Sequence, residues 1–170
     1  QDGYSFGEYR RHRQITTGMA VIVAALFSAW MGGSGAYGIE KALAVFLLAL
    51  YKIIDGYADV YESEFQRQGS LYLTGKSNTF RTLLSVAVFL IMLAVTKNLV
   101  LACAAAVAAQ VLGVALFDCS VIGALPRVDD SCREKSMSKL FLQAGLLFLS
   151  VFLDFYIFSA AKYAIDSQLN

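Results

Sequence analysis

The stretch KALAVFLLALYKIIDGYADVYESEFQRQG, residues 41–69, sets Lys52, Asp55, Asp59, Glu62 and Gln66 three and four residues apart. At about 100° per residue, all five fall within an arc of about 80° on one helix. The run Ala42 to Tyr51 before them is apolar or aromatic throughout. A cation beside carboxylates on an otherwise apolar helix suits two kinds of chemistry. The ammonium of Lys52 can hold an anion such as a phosphate through charge-assisted contacts. The carboxylates can tune that cation or bind a coupling ion. At a rise of about 1.5 Å per residue, Lys52 lies roughly 16 Å beyond Lys41, near the middle of a bilayer. Charge at that depth is costly and normally faces a bundle interior or a wet cavity. Two simpler readings stay open. Lys52 and Asp55 can neutralise each other and only glue helices together, and Asp59 and Glu62 can reach water at an interface. Glu64 falls on the opposite side of the helix, at or beyond the interface.

Other polar positions are fewer. In the apolar run 140–161, Gln143, Ser150 and Asp154 share a narrow face, and no cation lies within helical reach of Asp154. The run 98–117 holds one buried polar candidate, Gln110, among alanines whose spacing (Ala104 with Ala108, Ala105 with Ala109) suits close helix packing. Cys103, Cys119 and Cys132 show no CxxC spacing, and His12 has no ligand-spaced partner. Free thiols are therefore expected, with neither metal nor cofactor.

These groups must be positioned by membrane-spanning elements. Of the 170 residues, 58% are hydrophobic and 16% charged, and the mean hydropathy is +0.59. Soluble domains carry about 25% charged residues. A net charge of +1 supplies no field for nucleic acid. A spanning helix needs about 20 mostly apolar residues. The sequence offers five such elements: from about 16 to 31, about 40 to 66, 82 to 96, 98 to 117 and 140 to 161. The third and fourth are parted only by Lys97 and Asn98, which predicts a tight helical hairpin. A flexible turn is expected over 32–38 and a loop over 63–79. Ten of the 14 Lys and Arg residues precede the first span or lie between spans two and three or four and five. Lys41, Lys97 and Lys162 occupy the alternate side. By the positive-inside rule the N-terminal end is cytoplasmic, and without a crossing at 41 the alternation fails. The expected class is an all-α membrane protein of five transmembrane helices. Its parts are a cytoplasmic basic segment over 1–15, four helices of one lobe over 16–118, a cytoplasmic inter-lobe loop over 119–139, and the first helix of a second lobe over 140–170. The opening residues, with Gln1 first and no apolar core, read as part of something longer.

Four phrases carry a family resemblance. YSFGEYRRHRQITT resembles the basic loop that leads into the third helix of the bacterial polysaccharide-biosynthesis membrane proteins. These are the lipid-linked oligosaccharide flippases of the multidrug/oligosaccharidyl-lipid/polysaccharide exporter superfamily. DVYESEFQRQGSL followed by GKSNTFR resembles the end of that family's fourth helix and the cytoplasmic loop into its fifth. The basic stretch from Arg127 to Lys139 resembles the connection between lobes, and KYAID, 162–166, the end of the seventh helix. Ser159-Ala160-Ala161 departs from the family, where asparagine, alanine and proline often stand. The resemblance spans nearly the whole chain and implies helices three to seven of a two-lobe exporter with at least twelve helices. It implies a bacterial cytoplasmic-membrane protein that works by alternating access on an undecaprenyl-diphosphate-linked oligosaccharide. A coupling cation, H+ or Na+, is a further implied partner. Lys52, Asp55 and Asp59 would line the first lobe's cavity and Asp154 the second's.

Three functions follow. A flippase would pair Lys52 with the diphosphate; it breaks no bond and is not an enzyme. A multidrug or cation extruder of the same superfamily would use the carboxylates against a cationic cargo. A membrane scaffold would use the charges only to fix helix pairing.

Overall fold

The structure is a computed structural model that describes residues 5–125, 139–145, 148–150 and 153. The chain divides into two units, one over Ser5–Ser131 and the other comprising Cys132–Asn170 with the first four residues. The division falls inside the expected 119–139 loop.

The larger unit is entirely helical among the described residues. Its elements are α1 (Phe6–Gly33), α2 (Ile39–Arg67), α3 (Leu71–Thr96) and α4 (Leu99–Gly113). A π-helical segment, Val114–Asp118, continues α4 into a short α5, Cys119–Ala124. Among the described residues, three helices are long and apolar enough to cross a membrane: α1, α3 and the continuous rod Leu99–Ala124. The chain is therefore a multi-pass, all-α membrane protein, compatible with five spans. Helix α2 has the length, 29 residues, but carries the charges described above.

Local chemistry sets the helix ends. Ser5 opens α1 with a capping box: its hydroxyl accepts from Glu8 N–H at 3.2 Å, and the Glu8 carboxylate accepts from Ser5 N–H at 2.9 Å. The α3–α4 turn is two residues long. Lys97 adopts a left-handed conformation at φ 51°, and the Asn98 side chain caps α4 by accepting from Leu101 N–H at 3.1 Å. The α2–α3 turn is one residue longer, with Gly69 at φ 75° supplying a conformation that side chains disfavour.

That short turn corrects one expectation. The region 63–79 is not a loop; α2 runs to Arg67 and α3 starts at Leu71. Polar side chains there ride on helices that outrun the apolar core, so the fall in hydropathy does not end the helix. Likewise α1 begins at Phe6, within the basic segment assigned to 1–15, and the fourth helix continues past 118 to Ala124.

The most polar helix sits at the centre. Helix α2 packs against α1, α3, α4, the π segment and α5, whereas among the described elements α1 packs only against α2. Outward faces are apolar: Met19, Ile22, Val23, Leu26 and Trp30 on α1, and Leu83, Leu90, Ile91 and Val95 on α3. Lipid tails suit such surfaces, since a helix bonds its own backbone polar groups internally. At the end where α2 turns into α3, Phe6, Ala58, Tyr61, Phe65 and Val114 form a buried cluster. Of the two alanine pairs expected on α4, Ala105 with Ala109 lies on the packed side and Ala104 with Ala108 does not. Ala102, Ala106 and Ala109 are buried with Cys103 and Gln110, while Ala104 and Ala108 face outward.

A candidate polar site along helix two

The α2 stripe divides into two regions. In the first, the Lys52 ammonium lies 3.3 Å from Asp55, and its side chain is 76% exposed. One turn on, Asp59 is also open and takes an ion pair at 3.0 Å from Arg13 of α1. Arg13 additionally donates to the backbone oxygen of Gly56, at 2.7 Å from Nε. Gly56 leaves room for that guanidinium, since a Cβ there would stand 2.9 Å from Arg13 Nη2. Arg13, one of the basic residues before the first expected span, thus reaches across to the stripe.

The second region is centred on Arg81 of α3, of which only 1% is exposed. Its Nη1 donates to Asp118 at 2.8 Å and its Nη2 to Glu62 at 2.5 Å. Asp55 lies 3.7 Å from Nη2. Asp118 is fully buried and also accepts from Ser77 Oγ. Gln110 of α4, equally buried, donates from Nε2 to Asp55 at 3.2 Å. Ser85 donates to the Arg81 carbonyl at 2.8 Å and lies 2.9 Å from the Tyr51 hydroxyl. Acids of α2 and of the π segment thus meet one guanidinium of α3, and Gln110 of α4 joins through Asp55.

Backbone detail allows this convergence. Gly113 lets α4 pass against α3, because a Cβ there would stand 2.9 Å from Arg81 Cγ and 3.5 Å from its Cα. In a regular helix Asp118 would lie about 140° round from Gly113, facing elsewhere. The π segment takes more residues per turn, with Cys119 N–H bonded back to Val114 O. The wider turn brings Asp118 back towards the Gly113 face and so to Arg81. Such π bulges are often found at functional sites.

The sequence-derived candidates are therefore distributed as follows. Lys52, Asp55 and Asp59 stand on one face, and Gln110 is joined to them through Asp55. Glu62 belongs to the same stripe but turns to Arg81. Glu64, expected at or beyond the interface, is buried and paired with Arg67 at 2.8 Å. Gln143 is exposed on a helical stretch of the second unit, and Asp154 lies outside the described residues. Sequence reasoning missed Arg81 and Asp118, which stand just outside the apolar runs 82–96 and 98–117. The hairpin register held the signal. Arg81 is 16 residues before Lys97 and Asp118 is 20 after Asn98, so the two lie within about one helical turn of the same level.

Compared with protein-family models, with curated proteins and with solved structures, the chain has no match.

Proposed function

We propose that this chain belongs to a bacterial cytoplasmic-membrane exporter that moves a lipid-linked oligosaccharide between leaflets by alternating access. One observation carries the reading. The central helix of an apolar bundle turns Lys52 and Asp59 outward from its packed core, with Arg13 beside them, at the depth where lipid would otherwise lie. Exposed charge at that level is tolerated where it faces water. Lys52 and Arg13 offer cations to a diphosphate, and Asp55 and Asp59 hold them in place between cargoes. Loop charges that alternate along the chain favour a cytoplasmic N-terminal end. A cationic cargo is the weaker form of the same reading, because both exposed carboxylates already have cations against them.

The test is made in cells that depend on the protein for surface polysaccharide. Lys52→Arg keeps part of the export. Lys52→Met abolishes it with protein level unchanged, and the lipid-linked sugar accumulates unexported. The scaffold reading draws on a specific contact, the 3.3 Å Lys52–Asp55 pair. It predicts that Lys52→Met combined with Asp55→Leu restores export, because a matched apolar pair can replace an ion pair. Export still absent in a folded, inserted double variant favours contact with cargo or coupling ion.

A further inference from the structure

Among the described residues, the charges around Arg81 do not balance. Arg81 faces two well-shielded carboxylates, Asp118 and Glu62, whose side chains are 0% and 14% exposed. One cation against two anions leaves one negative charge in excess. Widening the count changes nothing. Asp55 adds an anion and Lys52 a cation, and Arg13 with Asp59 cancel. From the neighbouring elements, α3 brings Arg81 and Ser77, the π segment brings Asp118, and α4 brings only the neutral Gln110. Surplus charge within a membrane bundle is costly. A separate feature lies alongside. Gln110 is fully buried, its Nε2 serves Asp55, and its Oε1 has no partner. The described cluster is thus short of positive charge, and it holds one acceptor without a donor, Gln110 Oε1, and one donor without an acceptor, Arg81 Nε.

We infer that the Arg81 network carries one exchangeable proton, held on the carboxyl of Glu62. Bonds donated to a carboxylate stabilise its charged form. Asp118 accepts from Arg81 and Ser77, and Asp55 from Lys52 and Gln110. Glu62 accepts from Arg81 alone among the described residues. It is the least supported anion of the three. It also keeps some exposure where Asp118 has none, so a proton can reach it. With the proton in place, the remaining Glu62 oxygen still accepts from Arg81, and Arg81 with Asp118 forms a neutral pair. The proton site stands whether or not the chain moves a lipid.

Infrared difference spectroscopy on the full chain in lipid nanodiscs tests this directly. At neutral pH one protonated-carboxyl band is expected, and alkali removes it. Glu62→Gln, which keeps the shape of the side chain, loses that band. Asp118→Asn loses it as well, because Glu62 then ionises opposite Arg81 without surplus charge. Circular dichroism confirms that both variants remain helical. A band that survives in Glu62→Gln overturns the assignment. So does a band that sodium removes at constant pH, since the site would then take a metal cation. Absence of any carboxyl band in the native protein at neutral pH overturns the proton itself.

Discussion

Two clusters of charge lie within three turns of α2 and are built on opposite principles. Around Lys52 and Asp59 each cation meets one carboxylate, and the side chains of Lys52 and Asp59 are mostly exposed. Around Arg81 the guanidinium is shared among acids from two other elements and closed off on every side. Open pairs of the first kind contribute little to stability, typically about 0–1 kcal/mol. Their retention on an otherwise apolar helix points to a use other than holding the fold. Closed networks of the second kind hold helices in register, and removing one member leaves its partners buried and unpaired. Charge in a membrane segment is thus not one signal. Exposure and partner count separate the charges available to a ligand from those committed to the bundle.

The comparison breaks most visibly at Arg81. Arg81→Met strands Asp118 and Glu62, and removal of one partner of a buried pair costs about 3–5 kcal/mol. The variant is expected to lose its cooperative unfolding transition in detergent, or to show it at a much lower denaturant concentration. Arg81→Met combined with Asp118→Leu recovers much of that loss. Gly113→Ala ranks next. Its methyl group meets Arg81 Cγ and forces α3 and α4 apart, and overpacking of this kind costs about 1–3 kcal/mol. Thermal unfolding of the purified variant measures it. Asn98→Ala removes the α4 cap far from both clusters, at about 1 kcal/mol, and sets the scale for a purely local effect. Lys52→Met has the smallest effect on stability, within about 1 kcal/mol, because the pair it breaks is mostly exposed. An unfolding midpoint that falls as far for Lys52→Met as for Arg81→Met would erase the distinction.

Much of the fold was legible from residue pattern. Helix α2 was expected over 40–66 and spans Ile39–Arg67, and the hairpin turn at Lys97 and Asn98 lies where the charge interrupts the apolar run. Both are local consequences of periodicity and of a break in hydropathy. The face shared by Lys52, Asp55 and Asp59 was legible for the same reason, since helical spacing fixes it. What was not legible depends on tertiary packing. Arg81 and Glu62 look like residues seeking water until α2 and α3 are placed side by side. Asp118 comes to face Arg81 only through a π turn, which no periodicity of 3.6 anticipates. The loop expected over 63–79 failed because polar composition was read as irregular backbone, whereas Ser77 is a buried helical residue that donates to Asp118.

Water reaches Lys52 and Asp59 far more freely than it reaches the Arg81 guanidinium, Asp118 and Ser77. Accessibility to a charged, hydrophilic thiol reagent measures that directly, since the reagent and the thiolate it attacks both require water. Single-cysteine variants are made in a background with Cys103, Cys119 and Cys132 replaced, and are assayed in bilayer fragments open on both sides. Lys52→Cys and Asp59→Cys are expected to react several-fold faster than Ser77→Cys beside Arg81 and than Leu90→Cys on the apolar outer face. Lys52→Cys reacting no faster than Leu90→Cys would place the stripe against lipid and contradict the account.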